Sequence, residues 1–292
     1  MVLPIASELI RAMFRRRPQL FNVVLIETHS FCNRSCWFCK FGQERQDGYK
    51  VHMEWDTIKR IVLDLKRLHY KGRISWYFIN EPLLERRIIQ ILEFTRMHCP
   101  DAFLSLVTNG DLLNEEKYHQ LKLAGLDALG VSVYDDKTYQ RVLQMHRDQR
   151  LSILDMRRPQ VDNRGGNIKT NAQLFQETAD QFIDRSCNRP FDMLVINAKG
   201  DVVLCCSDLY GEVVMGNATE ERLEDIWHNE EFTYYRTTLT QHGRKGLKLC
   251  DGCSQTGKST YVYYPLPLGS RIRVQALKWL SYSNLNRRSS HV

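Results

Sequence analysis

Three cysteines within eight residues, Cys32, Cys36 and Cys39, constrain this chain more than any other feature. They follow an apolar run, Val23-Val24-Leu25-Ile26, so the fold must bring the end of a buried strand up against a loop of thiols. Thiolates are the ligands of iron–sulfur clusters, and a cubane needs four of them for saturation. The C-x3-C-x2-C spacing offers three, which leaves one iron open to a molecule that is not protein. The competing reading is a zinc site or scattered buried thiols. Zinc pairs usually come as two matched C-x2-4-C halves, and this run has no second half.

Around that loop, strand-like and helix-like stretches alternate. Residues 1–20 read as a short amphipathic helix ending at Pro18. From residue 55, Trp55, Ile58, Ile61, Val62, Leu65 and Leu68 recur at helical spacing. A second strand is expected over 74–78 and a helix over 86–98. A third strand over 104–107 is stopped by Asn109-Gly110. A helix over 114–123, a strand over 128–133 and a fifth strand over 151–154 complete the series. Strands alternating with helices imply an α/β fold of parallel units joined by right-handed crossovers. The alternation by itself permits an open sheet as readily as a partial barrel.

Past residue 186 the pattern changes. Apolar runs at 193–196 and 202–204 flank Asn197-Ala198-Lys199-Gly200, a hairpin signal. A helix is expected to begin near Thr219 as its N-cap, with Leu223, Ile226 and Trp227 on one face. The tail over 261–292 carries Arg271, Arg273, Lys278, Arg287 and Arg288, and says little beyond its charge.

Nine cysteines without a secretory signal argue for metal ligands or chemistry in a reducing, cytoplasmic compartment rather than for disulfides. The start of the chain is apolar before it is basic, the reverse of a signal peptide. No run approaches the roughly 20 apolar residues of a membrane span. A net charge of +7 over 292 residues is too sparse to compel nucleic-acid binding. Four further cysteines, Cys187, Cys205, Cys250 and Cys253, form a complete tetrathiolate set with a closing C-x2-C pair. Such a centre has no open position, and on spacing alone zinc satisfies it as well as iron. Cys99, beside Pro100 at a helix end, reads as structural.

The first motif resembles the signature of the radical S-adenosylmethionine (SAM) superfamily, down to the aromatic Phe38 before the third cysteine. The resemblance extends over residues 22–254 through Glu81-Pro82-Leu83-Leu84, Thr108-Asn109-Gly110 and Asn163-Arg164-Gly165-Gly166. The C-terminal part resembles the SPASM/twitch modules of that superfamily. It does so at Cys187, the Gly200–Cys205 hairpin, Met215-Gly216-Asn217, Asp225–Asn229 and Cys250-Asp251-Gly252-Cys253. The resemblance implies a partial (β/α) radical SAM barrel over 21–184, an auxiliary-cluster module over 185–260, two 4Fe–4S clusters and SAM. It also implies a low-potential electron donor such as a flavodoxin or ferredoxin.

Site roles are carried over on the same terms. Asn80 and Glu81 stand where the family's Gly-Gly-Glu-Pro motif receives the SAM amino group, with Ile79 and Asn80 in place of the two glycines. Thr108, Asn109 and Ser132 end strands at the rim where such barrels gather their active-site residues, and Ser132 is expected near a ribose hydroxyl. Arg157 is expected to face the SAM carboxylate, or to be a solvated arginine. Arg164 corresponds to an arginine that contacts the substrate hydroxyl in the aminocyclitol dehydrogenases of the family. Cys206 departs from their pattern. Adjacent strand residues point to opposite faces, so it is not expected to share the cluster of Cys205. It remains either a buried thiol or a hydrogen-atom donor of the kind radical SAM epimerases use.

The resemblance thus implies hydrogen abstraction from a carbinol carbon of a small polar sugar or aminocyclitol, ending in a ketone or an epimer. Modification of a ribosomal peptide is the lesser alternative, since only about 20 residues precede the first strand. From another class altogether, the chain would be a non-catalytic iron–sulfur or zinc module.

Overall fold

The computed structural model describes residues 20–43, 51–145, 151–159, 161–168, 177–255 and 257. The helix expected over 1–20 and the tail over 261–292 lie outside the described residues. One eight-stranded sheet, in the order β5-β4-β3-β2-β1-β6-β7-β8, organises the rest. Its parallel strands are β1 (Val23–Ile26), β2 (Arg73–Ser75), β3 (Phe103–Thr108), β4 (Ala128–Val133), β5 (Leu151–Asp155) and β6 (Met193–Ile196). An antiparallel pair, β7 (Asp201–Val203) and β8 (Val214–Asn217), continues the sheet beyond β6. β5 and β8 are edges, so the sheet stays open, as a partial barrel requires.

All four residues of β1 are buried because both faces of a parallel sheet are covered. Val24 and Ile26 pack into the core under the helices, with Ile58, Ile61, Val62, Leu65 and Trp76. Val23 and Leu25 face the interior beside Met193, Val195 and Val203, with Cys206 packed on that cluster. The interior face is therefore apolar at its base and hands over to polar residues at the strand ends. Among the described residues no helix is long and apolar enough to cross a membrane.

The helices α1 (Lys40–Gln43), α2 (Trp55–Arg67), α3 (Ile88–His98), α4 (Glu115–Leu123) and α5 (Asp136–Met145) follow the expected alternation. β2 ends at Ser75, short of the expected residue 78, and Asn80 Oδ1 accepts from the Phe78 N–H in the turn that follows. A 3-10 turn at Pro82–Leu84 precedes α3, which begins at Ile88 rather than at 86.

After α6 (Arg189–Asp192), the helix expected from Thr219 is α7 (Leu223–Trp227). The Thr219 hydroxyl and N–H both donate to Asn217 Oδ1, at 2.5 and 2.7 Å, closing a turn instead of capping a helix. The free N–H at the true start, Leu223, donates to Asp64 Oδ2 on α2 at 2.7 Å. Arg60 of α2 also reaches the Ala218 and Glu220 carbonyls. The last helix, α8 (Glu230–Gln241), is capped by Asn229, whose Oδ1 accepts from the Phe232 N–H. The C-terminal part is thus fixed to the barrel by β6 pairing along β1 and by these side chains of α2.

Candidate active site

A cavity of about 280 Å³ opens at the C-terminal ends of the parallel strands and runs inward to Val23 and Met193. Cys32, Cys36, Cys39, Phe38, Asn80, Glu81, Thr108, Asn109, Ser132, Arg164 and Cys206 all border it. Eleven residues proposed from sequence as site residues therefore meet in one place, although they span most of the described chain.

The cysteine loop is held by side chains from two strand ends, those of β3 and β4. Asn109 Nδ2 donates to Asn33 Oδ1 at 2.7 Å and lies 3.8 Å from Cys32 Sγ. Asn33 in turn donates to Asp111. Arg34 forks onto Asp111, with Nε 2.7 Å from Oδ2, and reaches Asp135 Oδ2 at 2.7 Å. Its guanidinium also lies 5.0 Å from the centre of the Tyr134 ring. A planar fork between two carboxylates fixes orientation as well as position. Thr138's N–H and then Arg34 hold the Asp135 carboxyl down at about 2. Burial pushes the Cys32 thiol up to about 11. The bare thiol is thus a neutral group, and iron ligation must displace its proton.

Glu81, 2 % exposed, is the hub of the opposite wall. Its Oε1 accepts from Thr108 Oγ1 at 2.6 Å and from the Leu83 N–H at 3.0 Å. Its Oε2 accepts from the Asn109 N–H at 2.7 Å. Burial raises its pKa against the pull of those donors. A carboxylate accepts about four hydrogen bonds, so Oε2 retains room for one more donor. Beside it, the buried Asn80 Nδ2 has no hydrogen-bond partner. A buried donor left unmet costs about 1–3 kcal/mol, and a ligand carrying an acceptor would relieve it. Phe38 packs with Ile168, Cys36, Tyr134, Met156 and Val161 to form an apolar side.

Arg164 has a left-handed backbone (φ 49°), followed by Gly165 (φ 66°) and Gly166 (φ 85°). A Cβ on Gly165 would stand 2.7 Å from Leu249 Cδ1, so this turn needs glycine both for its dihedral and for space. Asn163 ties the loop down, donating to the Gly252 carbonyl at 2.6 Å and accepting from the Ser254 N–H at 2.9 Å. Asn167 Nδ2 bridges the Arg164 and Ser207 carbonyls. Among the described residues no carboxylate pairs with Arg164.

A second, smaller cavity is lined by Cys187, Cys205, Cys250 and Cys253 together with Arg189, Leu204, Arg244 and Leu249. Burial pushes Cys250 up to about 12 and raises Cys205 well above the ordinary thiol range. All nine cysteines are free thiols. Four thiols around one cavity, beside two buried guanidiniums, form a donor set suited to an anionic tetrathiolate centre. Among the described residues, no three His, Cys, Asp or Glu side chains converge as one metal ion needs. A cubane takes its thiolates at wider spacing than a single ion does.

Arg157 is the exception among the expected residues. It lies outside the cavity lining, bonded to Asp155 at 2.6 and 2.9 Å and to Asp136 at 2.5 Å, with its guanidinium 4.1 Å from the Tyr139 ring centre. Asp155, the last residue of β5, lies two positions earlier and holds it. The contacts of Arg157 are thus with the chain's own carboxylates, and its expected role toward the SAM carboxylate stands as a proposal. Sequence reading in turn missed Arg34, Asp111, Asp135, Tyr134 and Arg189. The available signal was a carboxylate just past the ends of β3 and β4, Asp111 three residues after Thr108 and Asp135 two after Val133.

Two family models match the chain: the Radical SAM superfamily over residues 26–158 and the SPASM iron–sulfur cluster-binding domain over 187–254. The S-adenosyl-L-methionine-dependent 2-deoxy-scyllo-inosamine dehydrogenase of Niallia circulans is 28% identical over 254 residues, covering 84% of this chain and 98% of that one. A probable GTP 3′,8-cyclase of Saccharolobus solfataricus is 32% identical over 110 residues, 37% of this chain and 32% of the other. The crystal structure of BtrN in complex with AdoMet and 2-DOIA superposes with a TM-score of 0.73 at 28% identity, covering 85% and 99% of the two chains.

Proposed function

The chain belongs to the radical SAM superfamily and carries that superfamily's iron–sulfur SPASM domain, and from this premise we propose that it oxidises a carbinol carbon of a small aminocyclitol or sugar to a ketone. The single observation that carries the reading is convergence. The three cysteines, Glu81 and Arg164, which pairs with no carboxylate among the described residues, border one cavity, and the cavity lined by the tetrathiolate set shares Arg189 with it. The relative of like length is named as a dehydrogenase of 2-deoxy-scyllo-inosamine, which makes that compound the first to test.

In this reading Cys32, Cys36 and Cys39 hold a 4Fe–4S cluster, and Cys187, Cys205, Cys250 and Cys253 hold a second. With SAM bound beside the first cluster, one-electron reduction would supply the radical chemistry that removes one hydrogen atom from the carbinol carbon, and the second cluster would accept the remaining electron as the hydroxyl proton is lost to give the ketone. A flavodoxin or ferredoxin is the proposed source of that electron. The residues of the chain do the positioning. The free capacity on Glu81 Oε2 and the Asn80 side chain suit the ammonium and carboxylate of the SAM methionine end, while Ser132 suits its ribose. Thr108 and Asn109 hold Glu81 at its angle, and Phe38 with Tyr134 keeps water from that side. Arg164 offers a fixed fork of donors to the substrate oxygen, which orients the carbinol hydrogen toward the radical. Orientation of this kind decides which hydrogen is lost.

Anaerobically reconstituted protein, given SAM, dithionite and 2-deoxy-scyllo-inosamine, is expected to form ketone and 5′-deoxyadenosine in equal amounts. Deuterium placed at the carbinol carbon should appear in the deoxyadenosine. Deoxyadenosine without ketone, or ketone without deuterium transfer, would sink the oxidation. The position of Cys206 on this cavity favours a second reading, in which the thiol returns hydrogen from the other face and the product is an epimer. Solvent deuterium in the recovered substrate, abolished by Cys206→Ala, distinguishes that outcome.

A further inference from the structure

Arg189 opens α6, is 3% exposed and borders both cavities. Its two terminal nitrogens donate to neutral groups, Ser207 Oγ at 2.6 Å and Gln255 Oε1 at 2.8 Å, and its Nε has no partner. Among the described residues it forms no ion pair. A guanidinium stays charged at any physiological pH, and an unpaired buried charge costs several kcal/mol. The fold therefore contains a fixed positive charge that lacks an anion.

Arg244, the other buried arginine at the small cavity, differs in a telling way. Its Nη1 donates to the Cys253 and Gln255 carbonyls and its Nε to the Arg185 carbonyl, so it braces backbone. Among the described residues the Arg189 side chain donates to no backbone carbonyl, and each arginine keeps one buried nitrogen without a partner, Nε in Arg189 and Nη2 in Arg244.

Resting on the two-cluster reading above, we propose that Arg189 is a positioning residue for charge: its guanidinium neutralises the thiolates of the auxiliary cluster and raises that cluster's reduction potential. A positive charge stabilises the more negative, reduced state of a tetrathiolate cluster, and buried charges are weakly screened. Charge and hydrogen bonding around the sulfurs are the levers by which proteins set such potentials. The same residue also forms part of the wall of the main cavity, so its charge is shared between the two sites.

The test uses the full-length chain carrying Cys32→Ala, Cys36→Ala and Cys39→Ala, so that only the auxiliary cluster is loaded. Iron content and an EPR-monitored redox titration are read together. With Arg189→Met the chain is expected to keep about four irons. Its reduction equilibrium constant should fall at least about tenfold, which is roughly 59 mV for one electron. Arg189→Lys should recover most of that shift. An iron-replete Arg189→Met protein with an unchanged potential overturns the proposal. So does equal iron loss in the Met and Lys variants, which would mark a purely structural residue. Absence of iron in the parent triple variant would instead overturn the auxiliary cluster itself.

Discussion

Cys205 and Cys206 are adjacent in the chain yet border different cavities, Cys205 the one shared with Cys187, Cys250 and Cys253, and Cys206 the one that contains Cys32, Cys36 and Cys39. Both lie past the end of β7 at Val203, in a turn closed by the Asp208 N–H donating to the Cys205 carbonyl at 3.1 Å, so the expected strand alternation is replaced by a reversal of the chain between the two thiols. Ser207, next in line, donates its N–H to Cys205 Sγ and its carbonyl accepts from Asn167. A single turn thus separates the two sets of thiols and borders both cavities.

Iron analysis separates the roles of the two thiols. Reconstituted wild type should bind about eight irons per chain, as two cubanes require. Cys205→Ala is expected to lose about half of that, whereas Cys206→Ala should retain all of it. Equal iron loss in both variants would contradict the division.

Arg34→Ala removes the fork to Asp111 and Asp135. Hydrogen bonds to charged groups are each worth about 1.5–3 kcal/mol, reduced here because the pairs are partly exposed. The cysteine loop should loosen and lose iron from the first centre under mild chelation while the auxiliary centre stays loaded. Arg34→Lys should rescue this poorly, since a point charge cannot span two carboxylates.

Glu81→Gln places an amide N–H₂ where the Asn109 N–H or the Thr108 and Leu83 donors now point. One buried donor is left unmet, at a cost of about 1–3 kcal/mol. SAM affinity, measured anaerobically by calorimetry, should fall at least about tenfold, the equivalent of 1.4 kcal/mol. Unchanged affinity would remove Glu81 from the SAM site.

His29 gives the fold a one-sided acid sensitivity. The ring is fully buried against Phe31, and neither nitrogen has a hydrogen-bond partner. Burial, opposed by Glu85 and aided by His52 and Arg87, lowers its pKa from 6.5 to about 4. A base with a depressed folded-state pKa binds its proton preferentially in the unfolded chain. Its contribution to stability is therefore intact above pH 6.5 and lost as pH falls toward 4. The full effect is on the order of 3 kcal/mol. His29→Phe should flatten the denaturation midpoint across that window relative to wild type.

The two glycines after Arg164 should respond differently to alanine. Both carry positive φ and incur backbone strain of about 1 kcal/mol. Only Gly165→Ala also collides with Leu249, whereas a Cβ on Gly166 meets nothing within 4 Å. Thermal unfolding should show the larger loss for Gly165→Ala.

What was legible in the sequence was local. The period of Ile58, Ile61, Val62 and Leu65 marked α2, the thiol spacing marked both centres, and Asn197–Gly200 marked the β6–β7 hairpin. Contacts between distant segments leave no such period. Arg34 and Asp111 are 77 residues apart and Arg34 and Asp135 are 101 apart, so no window contains the fork. The start of α7 failed for the same reason: its capping carboxylate, Asp64, lies 159 residues upstream. The contacts of Arg157 were not legible either, since no motif singles out the Asp136 and Asp155 carboxylates that hold it.

The pairing of β1 with β6 also sets a schedule for biosynthesis. Val23 is matched to Met193, so one edge of the first strand waits for a partner until about 170 further residues have been translated. At ribosomal speeds of roughly 5–20 residues per second, the nascent chain carries a bare, apolar β edge for on the order of ten seconds or more. Unpaired edges of that kind template aggregation. The first cluster loop hangs from the same strand, so its thiols emerge long before the sheet that encloses them is complete.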